Sequence, residues 1–518
     1  MVDEDDAGSL GFWEEVVVSP DSYDGKARRL VGGGLSTSGR DGTSSSSTGS
    51  MLVIVAGFDF RFRFLKLIVV FVKGRAGQVA GVCGDKKLFL FILVLLHTLK
   101  PKVWMNLRSF TLLPLLFSTL RSSAPTCRSN MSSCTSTSAG KSEAVDLIVV
   151  GGGISGMVVA EISVSNGLTV KVLEARQRVG GRLLSFEGID LGGSWSFPPH
   201  ETEGLKLAAR LGVPVVDQRV DGSAFVARQG TKIQNVGNQG GRMAPCGPSS
   251  VRFQGGYSEL ARHLSNKIVA SELSDVLLGT HVTSVEYIEA TKLVRITATS
   301  NDSGKEQEGE ETHYHAKRVV FALPPSVLAR SVSFKPALPK AQLRKMAETA
   351  TWCGDWCKIA AVFQTPFWRD SGASGVVSTE GELISIWYEG GSGLEGEAAA
   401  ITGLGFGVEA CTELQRTLLD GEDSVALQNY VVSMLGSAFG ENKVRKQLVK
   451  VRGKAWAVDE LTYSGGAKRR EYGHSLLRQP TEWGVHFAGS ETENNNGHVE
   501  GAIISGIRAA KEVLTSMK

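Results

Sequence analysis

The apolar positions of this chain change period at defined points, and from about residue 145 onward each change predicts an element. Residues 146–150 (DLIVV) form a short continuous apolar run behind one acid, the pattern of a strand buried on both faces. Glycines then stand at the G-x-G-x-x-G spacing, Gly151, Gly153 and Gly156, and a helix is predicted to start there. Residues 169–173 predict a second strand, which ends in Glu174. Residues 201–211 and 257–268 carry apolar positions at helical spacing, and Gly212 stops the first. Residues 220–250, rich in glycine, read as short strands and turns. Residues 276–278, 281–287 and 294–299 read as successive strands, 300–313 as a polar surface hairpin, and 316–325 (AKRVVFALPP) as a buried strand ending in prolines. Residues 359–363 predict a further apolar strand, and 497–510 a closing helix.

The first 144 residues have a different character. Residues 1–104 read as a poorly structured extension in which residues 31–50, rich in Gly, Ser and Thr, alternate with apolar bursts at 51–55, 65–72 and 88–96. Each burst falls short of the roughly 20 residues of a membrane span. The last, extended to Leu99, is the best membrane candidate, and no span is expected from residue 145 onward. Residues 105–144 carry Arg108, Arg121 and Arg128, many serines and no acid between Met105 and Lys141, the composition of an organelle transit peptide. Met105 therefore reads as an alternative start, and a mitochondrion or plastid as the destination. Cytoplasmic, secreted and membrane-anchored alternatives stay open.

Composition narrows the classes. At 518 residues and 42% hydrophobic content the chain can bury two or more domains. A net charge of +3 gives no reason to expect nucleic acid. Seven cysteines without repeated spacing make no disulfide framework, and Cys353 and Cys357 have no matching pair with which to hold zinc, so no metal is expected.

The chemistry concentrates at the glycine turn. Gly151 allows the tight turn, Gly153 lets backbone approach a pyrophosphate, and Gly156 lets the helix pack against the strand. Ser155 and its neighbours place free N–H groups at the helix N-terminus, toward the phosphates. Glu174 lies about 20 residues on, where a carboxylate meets the ribose of an adenine dinucleotide.

The run LEARQRVGGR at 173–182 and DLGGSW at 190–195 resembles the flavin-containing amine oxidase family. Three further blocks carry the same resemblance. They are FQGGYSEL at 253–260, the lysine strand with PFWR ending at Arg369, and FAGSET at 487–492 followed by GHVEGA. The resemblance implies an α/β fold, with a FAD-binding Rossmann-like domain from 145–200, 250–334 and 451–518 and an interleaved α+β substrate domain from 201–249 and 335–450. It implies FAD, whose ribose meets Glu174 and whose pyrophosphate and ribityl chain lie along Arg176, Gly181 and Arg182. Gly193, Ser194, Trp195, Trp456, Gly489, Glu491, His498 and Val499 complete the implied cofactor set, with backbone groups of Val282 at the adenine. Lys358 falls on the family lysine, which implies that it holds a water at flavin N5 and assists reoxidation by dioxygen.

Departures from the family pattern concern the substrate side. Ala467 and Lys468 stand where mitochondrial monoamine oxidases have the flavin-linking cysteine and a tyrosine, so FAD is expected to be noncovalent. His498 stands where the second tyrosine of the aromatic cage would be, leaving Trp195, Trp356 and Trp387 as candidate walls. The implied reaction is oxidation of an amine C–N bond by hydride transfer to flavin, with dioxygen giving hydrogen peroxide. A C–C oxidase or desaturase of the same fold, a noncatalytic flavin-binding protein and a nicotinamide dehydrogenase remain alternatives. A homodimer is left open.

Overall fold

The computed structural model describes residues 48–59, 64–75 and 144–518, the last without 229–230, 248, 301–310, 392–397, 420–423, 467–469 and 495–496. The expected transit segment, the apolar burst at 88–99, the tip of the 300–313 hairpin, and Ala467 and Lys468 fall outside these residues. Two compact units divide near residue 135.

In the first unit, Thr48–Asp59 pairs antiparallel with Phe64–Arg75, in unbroken register from Thr48 opposite Arg75 to Asp59 opposite Phe64. Both segments are rich in Val, Ile, Leu and Phe, residues that favour extended pairing.

The second unit holds two large sheets. The first has a parallel core in the order Ser274–Leu277, Val170–Leu173, Val145–Val150, Glu311–Phe321 and Val485–Phe487. Leu147 and Val149 face one core cluster, with the helices Ile154–Ser165, Ser258–Val269 and Val499–Ser516. Ile148 and Val150 face another, with Val285, Ile296 and Phe321. A strand buried on both faces is what its continuous apolar run requires. The long strand Glu311–Phe321 also pairs antiparallel with Leu293–Ser300, which pairs with Thr280–Ile288. A three-stranded meander thus branches from the parallel core.

The second sheet runs Leu448–Ala455, Trp356–Phe363, Ala399–Phe406, Ile386–Glu389, Ala373–Thr379, Ser223–Ala227, Gln234–Asn235. The expected division at 451 falls within its first strand, Leu448–Ala455. Alternation fixes the faces of Trp356–Phe363. Cys357, Ile359, Ala361 and Phe363 pack under the helices Val408–Thr417 and Val425–Phe439. Ala360 and Val362 point the other way, onto Ile189 and Leu191 of the first domain, and Lys358 shares their face.

Candidate active site

The nucleotide end is built from backbone. Gly151 turns at φ +103°, and a Cβ there would stand 2.7 Å from the Ala322 carbonyl oxygen. A Cβ on Gly156 would stand 2.0 Å from the Gly151 carbonyl oxygen, so only glycine lets the helix sit this close to the strand. Gly153 differs: a Cβ there meets no protein atom within 4 Å, because it opens onto a cavity. Gly153 also precedes the helix Ile154–Ser165, whose first turn has no side-chain cap and no acid, leaving its N–H groups for an anion. Glu174, buried at the end of its strand, accepts from the Gly152 N–H at 2.7 Å and the Arg176 N–H at 2.8 Å, which ties that strand end to the glycine loop.

The cavity measures about 440 Å³, within the range of sites that take up small molecules and cofactors. Gly151, Gly153, Ser155, Glu174, Arg176, Gly181 and Arg182 line it with Gly193, Ser194, Trp195, Lys358, Trp456, Gly489, His498 and Val499. Stretches far apart in sequence are therefore brought to one wall. Arg176 is braced by Asp459 at 2.7 Å and Thr462 at 2.9 Å. Arg182 forms a two-pronged pair with Glu491, at 2.8 and 3.0 Å, and donates to the Trp352 carbonyl at 3.0 Å. An open glycine cradle, an uncapped helix N-terminus, a carboxylate at the second strand end and two braced guanidiniums suit an adenine dinucleotide.

Three expected cofactor residues lie outside the lining. Gly156 serves packing. Glu491 is fully buried and acts through Arg182 and through the Trp352 N–H, which it accepts at 3.0 Å. The Val282 side chain is in the sheet core; its strand reaches the site through the Thr280 N–H, donated to the Glu174 carbonyl at 2.8 Å. Among the candidate walls, Trp195 and Trp356 line the cavity. Trp387 does not: alternation turns it into the fully buried core beneath the sheet, which corrects its assignment as a wall.

Lys358 stands on an interior strand, between Ala399–Phe406 and Leu448–Ala455, and is only 6% exposed. A solvent-reaching edge lysine is thereby ruled out. Its Nζ donates to the Gly192 carbonyl and the Ser194 hydroxyl, both at 2.6 Å, and lies 5.4 Å from the centroid of the Trp195 ring. Burial draws the ammonium down to about 8, opposed by the charge of Asp190.

Asp190 and Arg252 had no role in the sequence reading. Arg252 lies 3.5 Å from the Asp190 carboxyl, which also accepts from the Ser185 hydroxyl at 2.7 Å and the Tyr257 N–H at 2.9 Å. Burial pushes the Asp190 carboxyl up, against Arg252. The acid opening DLGGSW was the available signal; nothing in the sequence pointed to Arg252. Glu201, Phe197 and Trp352 were also missed. Nδ1 of His498 pairs with the Glu201 carboxylate, and its ring packs 5.7 Å from Phe197 and 5.1 Å from Trp352. Cys353 lines the cavity too, but burial pushes its thiol up to about 12, so it is no nucleophile near neutral pH.

The profile of the family described as "Flavin containing amine oxidoreductase" matches residues 233–514, and that of an NAD(P)-binding Rossmann-like domain matches 149–210. The chain belongs to the flavin-containing amine oxidoreductase family. Its cofactor is FAD, and its reaction class is amine oxidation. Amine oxidase [flavin-containing] B of Sus scrofa is 28% identical over 462 residues, covering 72% of this chain and 86% of that one. The Canis lupus familiaris protein of that name is 29% identical over 465 residues, with the same coverage. Putrescine oxidase of Kocuria rosea is 26% identical over 340 residues, 47% of this chain and 70% of that one. In fold, a redesigned putrescine oxidase superposes with a TM-score of 0.57 at 20% identity over 72% of this chain and 99% of that one. Cyclohexylamine oxidase from Brevibacterium oxydans gives 0.56 at 18%, over 72% and 100%. Among the described residues no helix is long and apolar enough to cross a membrane, and no group of His, Cys, Asp and Glu could hold a metal ion.

Proposed function

We propose that this chain binds FAD without a covalent bond and oxidises the C–N bond of a small amine, with dioxygen as the final acceptor and hydrogen peroxide as a product. When bound, FAD would supply the redox chemistry, as acceptor of the α-carbon hydride and donor of two electrons to dioxygen. The chain's residues bind, orient and tune. The glycine cradle and the helix N-terminus take the pyrophosphate, and Glu174 takes the ribose. Arg176, Gly181, Arg182, Gly489 and Val499 line the cofactor's path, while Gly193, Ser194, Trp195 and Trp456 close the side toward Lys358. The resulting imine is released and hydrolysed by water to an aldehyde or ketone.

The observation that carries this reading is the buried ammonium of Lys358, aimed into the cavity from an interior strand and held by Gly192 and Ser194. A positive charge in a dry pocket favours reduction of dioxygen, because negative charge develops there. Ala467 and Lys468 support noncovalent FAD, since neither is a thiol able to carry the flavin. The composition of residues 105–144 supports delivery to an organelle.

Two measurements test the finer claims. Acid precipitation of the purified protein should leave yellow FAD in the supernatant; flavin retained in the pellet contradicts noncovalent binding. Aerobic turnover of an amine should form about one hydrogen peroxide per amine, the ratio set by two-electron chemistry. Product without peroxide removes dioxygen as the acceptor.

A further inference from the structure

The amine-oxidation reading leaves one proton unassigned. Hydride leaves readily from a neutral amine, but aliphatic amines near neutral pH are ammonium ions, with an ordinary pKa of about 10. Something must take that proton inside or outside the cavity. His498 is placed to take it inside.

A carboxylate only accepts hydrogen bonds, so the contact with Glu201 puts the hydrogen on Nδ1 and leaves Nε2 with a lone pair. Nε2 has no hydrogen-bond partner among the described residues, and His498 lines the cavity. Phe197 and Trp352 pack on the ring and fix its plane. Glu201 is itself anchored, accepting from the Phe197 N–H at 3.2 Å. Glu500, two residues along the helix, does not compete for the ring. Its carboxylate accepts the N–H groups of Thr202, Glu203 and Gly204 at 2.8 to 3.0 Å. The other titratable groups on elements packed against the ring are exposed His200, beside Glu201, and Arg182, Glu491, Tyr472 and Cys353 around Trp352. Arg182 and Glu491 neutralise one another. Glu201 is therefore the charge paired with the imidazole.

We propose that His498 is the base that deprotonates the substrate ammonium, and that Glu201 positions its ring and stabilises the imidazolium formed. The proposal rests on the amine-oxidation reading. An ammonium N–H bond breaks, the Nε2–H bond forms, and the electron pair stays on the amine nitrogen, from which the α-carbon hydride can then depart. The proton returns to solvent past the partly exposed ring.

Anaerobic flavin reduction by an alkylamine, with the holoprotein and His498→Phe and Glu201→Gln variants, tests this. His498→Phe keeps an aromatic ring and removes the base. At ~pH 7 it should lower the second-order rate of reduction about a hundredfold, the usual worth of a general base. At ~pH 10.5, where about half or more of the amine arrives neutral, the deficit should shrink to within about threefold. Glu201→Gln should show a smaller deficit with the same pH rescue. A deficit equal at both pH values, or none at either, overturns the proposal, the ring then being only a wall. If His498→Phe does not hold FAD, Glu201→Gln alone decides by the same criterion. A parent flavin that no amine reduces overturns the amine-oxidation reading, and this proposal with it; a reduced parent with no pH rescue in the variants overturns the proposal alone.

Discussion

On the nucleotide side of the cavity the walls are mainly backbone. Gly151, Gly153 and Gly156 lie within six residues, and the groups they offer are N–H donors at a helix end. On the substrate side the walls are side chains from separate elements: Lys358 from a sheet interior, Trp195 from the loop after Asp190, Trp352 from a turn, His498 from the cap of the last helix. The first kind of wall tolerates almost no substitution, because backbone spacing sets its shape. The second kind can be exchanged residue by residue, and here it carries His498. A cofactor common to many proteins suits the first construction, and a substrate specific to one suits the second.

The comparison can be broken most severely inside the glycine turn. Gly156→Val should abolish folded holoprotein, because the first added carbon already stands 2.0 Å from the Gly151 carbonyl oxygen; we expect a loss above about 4 kcal/mol, read as soluble yield and thermal midpoint. Gly153→Ala should keep the fold and weaken FAD about tenfold or more, since its Cβ meets only open space where the pyrophosphate belongs. Equal behaviour of the two variants would contradict the division between packing and binding glycines. Glu491→Gln comes next. It leaves the half-buried Arg182 without its carboxylate, and a loss of about 3 kcal/mol is expected in chemical denaturation, with FAD shed more readily.

Substrate-side changes should alter rates and leave the fold standing. Lys358→Met should slow reoxidation by dioxygen about a hundredfold, while anaerobic reduction stays within about threefold. Equal reoxidation in variant and parent would take Lys358 out of the oxygen step. The parent's pH profile carries the same test without a mutation. A lysine drawn down to about 8 is an ammonium below that pH and neutral above it. If the charge accelerates the oxygen step, reoxidation is fast at low pH and falls as pH rises through about 8. A rate that rises through this range would contradict the sign. The smallest effect is expected at Cys353, a non-glycine residue at φ +51°. Cys353→Gly should be neutral or stabilising by up to about 1 kcal/mol, measured as a thermal midpoint.

The legible parts of the molecule were those specified by contiguous residues. The first strand, the glycine turn and Glu174 could be read because backbone chemistry at fixed spacing demands those residue types. The position of Lys358 could be read from the family motif, but its burial could not, because an interior place depends on two strands about 40 and 90 residues away. The Glu201–His498 pair joins residues 297 apart, and the Asp190–Arg252 pair joins two short strands that only tertiary packing brings together. Trp387 shows the reverse failure. An aromatic in the substrate domain looks available for a wall until alternation along its strand turns it into the core. The pairing of Thr48–Asp59 with Phe64–Arg75 carries no signal in the sequence beyond two apolar runs, which length alone assigns to neither strand nor membrane span.

The most direct test of the account is anaerobic addition of a panel of primary, secondary and diamine substrates to the FAD-loaded protein, with the visible flavin spectrum as the readout. The account predicts that at least one amine bleaches the flavin band within the mixing experiment and that admitting dioxygen restores it. A flavin that remains oxidised with every amine, in protein whose FAD is fully bound, would contradict it.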